Sequence, residues 1–312
     1  MSHLGLGPGP EFDRIRAIIS RLGPDASGLG DDCAVVPIAG THLVASIDCS
    51  VEGVHFRTDW LSAEEIGYRA TAAALSDLAA DGAEPIGVLV SLGLSDNGQR
   101  KTDNAAEIMA GVGAAVRASA CEVLGGDLVR ADKIIVDVCV LGTAERPVRR
   151  AGAQPGDGVW VTGTLGGAGL ALAELQAGTR LDAELRGRYA KPEPRIKAGQ
   201  WLAEHGATAM LDISDGLAQD AGQLAAASNV AIEIALEKLP CWPGATPLAA
   251  AQSGEEFELL VTLPAEFAAA AKFVRATGLQ LTRIGACEEG GDVRITENGE
   301  QITPPAGFQH FA

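Results

Sequence analysis

The chain has 312 residues, 47% hydrophobic and 4% aromatic, with 24 Lys and Arg against 41 Asp and Glu, a net charge of −17. That balance argues against partners held by basic residues, so neither nucleic acid nor an anionic membrane surface is expected. The length favours two domains, and the longest uncharged apolar stretch, residues 85–95, is too short to span a bilayer.

Residues 1–14 lack a basic segment followed by an apolar one, so no secretory leader is expected and the protein reads as soluble and cytoplasmic. Residues 11–22 place Phe12, Ile15, Ile18, Ile19 and Leu22 at helical spacing. The segments "CAVVPI" and "HLVASID" read as two strands joined by a turn at Ala39-Gly40. An Ala-rich helix is expected over 62–82, with Ser62 as N-cap and Glu65 three residues on. A strand at 85–95, a helix at 104–120, a strand "CEVLGGD" running into a turn, and a strand at 133–144 continue an α/β alternation.

"QPGD" signals a turn, and a boundary is placed near 145–150, giving domains 1–148 and 149–312. Beyond it come a strand "GVWVTG" and a short helix at 169–175. A Pro-bounded helix at 191–206 follows, then a strand, turn and helix over 209–229. A strand at 230–236, one within 254–264, a helix at 265–277 and short terminal strands complete the reading. The six cysteines form no C-x-x-C pair, so buried free thiols are expected rather than zinc ligands or disulfides.

Five segments end in aspartate beside Gly, Ser or Ala: "GDDC", "SIDC", "LSD", "GGD" and "DISDG". Taken singly, each reads as a cap or an Asx turn. Together they place Asp31, Asp32, Asp48, Asp77, Asp127, Asp212 and Asp215 at the edges of apolar segments, with only Arg130 and Arg150 nearby in sequence. Buried carboxylates need a partner or a metal. Oxygen-only donors suit Mg2+, which would let so acidic a chain bind phosphates.

The P-loop and protein-kinase signatures are absent. "TGTLGGAG" at 162–169 does not fit G-x-G-x-x-G and is read as a structural turn. No Ser-His-Asp or Cys-His arrangement stands out, and His55 alone would pass for a structural histidine.

The ordered series "GDDCAV", "SIDCSVEGVHF", "ALSDLAADGA", "GGD", "RRAGAQPGD", "KPEPR", "LDISDGL" and "SGEEFEL" resembles the thiamine-monophosphate kinase family, from about residue 11 to 311. The resemblance implies a two-domain α/β (α+β) fold like that of aminoimidazole ribonucleotide synthetase. Its N-terminal domain would dimerise through its sheet, and a C-terminal α/β sandwich would cover the site. It implies ATP as co-substrate, several Mg2+ ions, and direct phosphoryl transfer to thiamine monophosphate without a catalytic base. By position, Asp31, Ser46, Ile47, Asp48, Asp77, Asp127, Asp212 and Asp215 match the family's metal contacts. Gly126, Asp127, Arg150 and Ser214 match its ATP contacts, and His55, Glu255 and Phe308 its substrate contacts.

Ile47 and Cys49 stand where the family has threonine, and Ser253 and Glu256 alter its "GGED" loop. Alternatives are another ATP-using enzyme of the superfamily or an inert nucleotide- or metal-binding paralogue. Selenophosphate synthetase is disfavoured by the opening segment, and the hydrogenase maturation enzyme by an ending without cysteine. "VEGVHF" with "ISDGL" speaks against aminoimidazole ribonucleotide synthetase itself.

Overall fold

The computed structural model describes residues 5–26, 29–95 and 104–308. Residues 1–4 of the stretch read as leader-free, and the C-terminal residues 309–312, lie outside the described residues.

Helix α1 (Pro10–Leu22) precedes a hairpin of β1 (Ala34–Ile38) and β2 (Thr41–Val51), which turns at Gly40 with φ of 82°. Helix α2 (Ala63–Ala80) begins with a reciprocal cap. Ser62 Oγ accepts the Glu65 N–H at 3.2 Å, and Glu65 Oε2 accepts the Ser62 N–H at 2.9 Å. Then come β3 (Glu84–Leu94), α3 (Asn104–Ala118), β4 (Glu122–Arg130) and β5 (Ile135–Ala144). The strands form a sheet in the order β1-β2-β5-β3-β4, antiparallel except for β3 with β4.

Helices α2 and α3 cover one face of this sheet. Glycines let them cross closely: a Cβ on Gly67 would lie 1.9 Å from the Ile108 carbonyl oxygen, and one on Gly111 1.9 Å from that of Glu64. On β5 the core takes Val136, Val138 and Val140, while Asp137, Cys139 and Leu141 point the other way. The "GGD" expected as a turn is instead strand: Gly125–Asp127 lie inside β4, paired with Leu89–Ser91. Glycine serves close strand approach there, since a Cβ on Gly126 would meet the Val90 carbonyl oxygen at 1.9 Å.

The second half contains β6 (Gly158–Thr162), α4 (Gly167–Gln176), α5 (Ala183–Ala190), α6 (Ile196–Glu204), β7 (Ala209–Asp212) and α7 (Leu217–Ser228). It continues with β8 (Ala231–Ala235), α8 (Pro247–Gln252), β9 (Leu259–Leu263), α9 (Ala270–Thr277), β10 (Leu281–Glu288), β11 (Val293–Glu297) and β12 (Glu300–Ile302). Its sheet runs β12-β11-β8-β10-β6-β9-β7. Helices α5 and α8 were not anticipated, and α9 starts at Ala270 rather than 265. Helix α6 begins only at Ile196, after Pro192 and Pro194.

One core spans both halves: Ile66, Leu75 and Leu78 of α2 share it with Leu202, Met210, Leu259 and Val261. A second core packs α7 against β8 and β9 through Leu217, Leu224, Ile232 and Leu260. All six cysteines are free: Cys33, Cys121 and Cys287 are buried, whereas Cys49 is exposed.

A buried charge network ties β9 to the helices beside it. Glu258 accepts from Arg195 Nε at 2.9 Å and Nη2 at 2.6 Å, from Arg188 Nη1 at 3.3 Å and from Thr162 Oγ1 at 2.7 Å. Truncating one partner strands buried charge, so Glu258→Ala should cost about 3–5 kcal/mol in urea unfolding. A loss under about 1 kcal/mol, the range of an exposed pair, would show the network to be weakly coupled.

Candidate active site

Helix α2 carries Arg69, Ala73, Asp77 and Asp81 at intervals of four, one stripe along one face. Strand β2 alternates, so Ser46, Asp48 and Ser50 share the face turned toward α2. Ser46 Oγ donates to Asp77 Oδ2 at 2.6 Å. Strand β7 ends at Asp212, and Asp32 follows the chain into the same place. Asp32, Asp77 and Asp212 each offer an oxygen within 4.8 Å of the other two.

These carboxylates disfavour one another's charge. Burial and the neighbouring Asp212 and Asp32 hold Asp77 well above the ordinary carboxylate range. Burial, then Asp32, pushes Asp212 up to about 7. Three oxygen-only donors set together with like-charge repulsion fit a hard divalent cation.

Asp31 and Asp32 are not short of basic partners, contrary to the sequence reading. Asp31 is ion-paired with Arg149 and accepts the Arg150 backbone N–H at 3.0 Å. Asp32 accepts Arg150 Nη2 at 2.7 Å and Nε at 3.1 Å, a two-pronged pair. The arginines lie 118 residues away, just past the end of the first sheet. Arg150 thus holds the first half of the chain to the second.

Beside the triad is a cavity of about 600 Å³ lined by Asp48, His55, Trp60, Arg69, Tyr189, Ser214, Asp215, Glu255 and Phe308. The structure therefore gathers His55, Glu255 and Phe308 around one space with Asp48, Ser214 and Asp215. His55 Nδ1 accepts the Val51 N–H at 3.0 Å. The Asp215 carbonyl accepts the Phe308 N–H at 2.9 Å, and Gln219 Nε2 donates to both Asp215 Oδ2 and the Phe308 carbonyl at 3.0 Å. Asp220, missed in the sequence, sets this loop: its Oδ2 accepts the N–H groups of Ser214, Asp215 and Gly216 at 3.1, 3.2 and 3.0 Å.

Arg69 was also missed. It is buried, pairs with Glu255, lies 4.0 Å from the centre of the Tyr189 ring and donates to the Tyr189 carbonyl. Glu255 and Phe257 adopt φ of 57° and 52°, so their loop is strained where it meets the cavity. Glu256 points elsewhere. Its Oε1 accepts the N–H groups of Gly166 and Ala168 at 2.8 and 3.0 Å, and its Oε2 pairs with Arg188 at 2.8 Å. Ser253 Oγ accepts the Gly169 N–H at 2.8 Å and donates to Glu256. The N-terminus of α4 is thus occupied by a protein carboxylate, which makes 162–169 a structural turn.

Two family models match the chain: AIR synthase related protein, N-terminal domain, over residues 30–144, and the C-terminal domain over residues 154–298. Thiamine-monophosphate kinase of Aquifex aeolicus is 35% identical, covering 96% of this chain and 98% of its own. That of Rhodopirellula baltica is 33% identical, covering 95% of each. A solved structure of AaThiL complexed with AMPPCP and TMP superimposes with a TM-score of 0.86 at 33% identity, over 96% of this chain and 97% of that one.

The chain belongs to the thiamine-monophosphate kinase family.

Two residues matched to that family's metal contacts sit differently from the rest. Ile47 is 67% exposed, and its side chain lies on the face of the sheet opposite α2 and α3, away from Ser46 and Asp48. Only its backbone belongs to the strand segment that carries the site, so replacing threonine there removes no side chain from the cavity. Asp127 and Gly126 line a separate groove with Val90, Leu92, Ala105 and Met109. Strand β4 is three positions from β2 in the sheet, which puts Asp127 about 14 Å from Asp48's strand. Within one thiamine-monophosphate kinase chain, then, Asp127 does not join the Asp32–Asp77–Asp212 triad.

Proposed function

We propose that the protein transfers the γ-phosphoryl group of ATP to the phosphate of thiamine monophosphate, giving thiamine diphosphate and ADP. The observation that carries this reading is one cavity with aromatic and carboxylate walls that opens, at Asp48, beside a carboxylate triad. The AaThiL complex with AMPPCP, an ATP analogue, and TMP supports it.

Asp32, Asp77 and Asp212 would hold Mg2+, with Asp48, Ser46, Asp31, Asp215 and the Ile47 carbonyl as further contacts. When bound, the metal neutralises phosphate charge and orients the transferring group. The protein's own part is placement. Arg150 fastens the two halves, proposed as domains 1–148 and 149–312, across the site. Asp220 fixes the loop that presents Ser214 and Asp215 to ATP. Trp60 and Phe308 offer ring faces to a cationic thiazolium, and His55 and Glu255 border the same space. The acceptor phosphate is ionised near neutral pH, so no residue need act as base.

A homodimer is part of the proposal. Ile47, Leu89 and Val129 are exposed apolar side chains on the outward side of the first sheet, which no helix among the described residues covers. Asp127 and Gly126 would reach the phosphates from the second copy. Cytoplasmic location belongs to the proposal too; among the described residues no helix is long and apolar enough to cross a membrane.

A coupled ADP assay with ATP, Mg2+ and thiamine monophosphate tests the reading: ADP release should depend on all three. ATP binding without turnover would favour an inert paralogue instead. Glu255→Gln leaves the buried Arg69 guanidinium uncompensated beside a pocket for a cation. It should raise KM for thiamine monophosphate about tenfold and change kcat much less. An unchanged KM would remove Glu255 from the substrate pocket.

A further inference from the structure

Asp77 and Asp81 stand one turn apart on α2, and Asp32 lies against both. Asp32 therefore belongs to two triads, Asp32–Asp77–Asp212 and Asp31–Asp32–Asp81, each with oxygens mutually within 4.8 Å. The second triad has a feature of its own. Asp81 is 0% exposed, and among the described residues neither of its carboxylate oxygens meets a hydrogen-bond partner.

The fold gives this carboxylate nothing to do. Asp81 is the C-cap of α2, where its backbone N–H bonds to the Asp77 carbonyl and its own carbonyl accepts the Val148 N–H at 3.1 Å. Any residue could make those bonds. A negative side chain at a helix C-terminus is opposed by the helix dipole, and here also by burial and by Asp31 and Asp32. Arg149 and Arg150 are committed to Asp31 and Asp32. Three carboxylates face two guanidiniums, and Asp81 is the one left without a partner. Asp31 Oδ1 accepts the N–H groups of Asp32 and Arg150, while Oδ2 accepts one bond, from Arg149, and keeps a second lone pair.

We infer that Asp31, Asp32 and Asp81 form a further divalent-cation site, deeper than the phosphoryl-transfer site and joined to it through Asp32. The donors are oxygens only, so the ion is a hard one such as Mg2+ or Mn2+.

Mn2+ alone, without nucleotide, is the probe, and free Mn2+ is counted by electron paramagnetic resonance. The full-length protein should hold one more Mn2+ per chain than Asp81→Asn or Asp81→Ser. The same difference of one should persist when Asp77→Asn is added to each. Equal Mn2+ numbers and affinities with and without Asp81 would overturn the site. So would failure of both Asp81 variants to fold in EDTA, because a carboxylate kept for a cation contributes nothing to the cation-free fold. ADP release with thiamine monophosphate is a separate readout, so failure of the proposed reaction and failure of this site are distinguishable.

Discussion

Asp212→Asn should abolish turnover, lowering kcat by at least about 10²–10³-fold, and should stabilise the protein in metal-free buffer near neutral pH. Both effects come from one cause. Asp212 is buried beside Asp32 and its pKa is pushed up to about 7. A folded pKa above the ordinary value means that the protonated carboxyl favours the native state. That stability is fully present below the unfolded pKa, near 4, and is lost as pH rises through about 7. The loss above pH 7 is about 4 kcal/mol on this basis. Asparagine keeps the shape and carries no charge, so it escapes the loss and also forfeits the metal. Melting in EDTA at several pH values checks this. The wild type should lose ground to Asp212→Asn between about pH 4 and 7, and saturating Mg2+ should restore the wild type but not the variant. A gap that does not change with pH would mean that Asp212 is not held near its charge-neutral form.

Mixing two dead variants should restore activity. Asp77→Asn removes a member of the triad, and Asp127→Asn removes a carboxylate on β4, about 14 Å across the sheet from β2. If Asp127 acts from the second copy, a mixed dimer has one site lacking both groups and one site intact. Random mixing should then recover about one quarter of the wild-type rate per chain, from two preparations that are each inactive. No recovery after subunit exchange, verified by a tag on one variant, would place Asp127 outside the site or show that it acts within its own chain after a rearrangement.

Much of the fold was readable because its elements carry local signals. The β1–β2 turn needs glycine, α2 begins with Ser62 and Glu65, and β5 alternates strictly. Helix α5 has a polar, charged sequence without a clear apolar stripe; its one local signal is Asp182, whose Oδ1 caps the Leu185 N–H, and it packs against α2 and α4. The "GGD" glycines imitate a turn and in fact let β4 lie close to β3. Within the site, the aspartates at strand ends were visible as a set. The pairing of Asp31 and Asp32 with Arg149 and Arg150 was not, since no local pattern links residues 118 apart. Asp81 did leave a signal, its spacing of four from Asp77 on a helix, but a carboxylate at a helix end reads as solvated until its burial is known. Likewise the altered loop residues Ser253 and Glu256 turn out to cap α4, which only the fold reveals.

Transfer of label from ATP to thiamine monophosphate tests the central claim most directly. With γ-labelled ATP, Mg2+ and thiamine monophosphate, the label should appear in the terminal phosphate of thiamine diphosphate, one per ADP formed. Label released as inorganic phosphate, with thiamine monophosphate left unchanged, would contradict it.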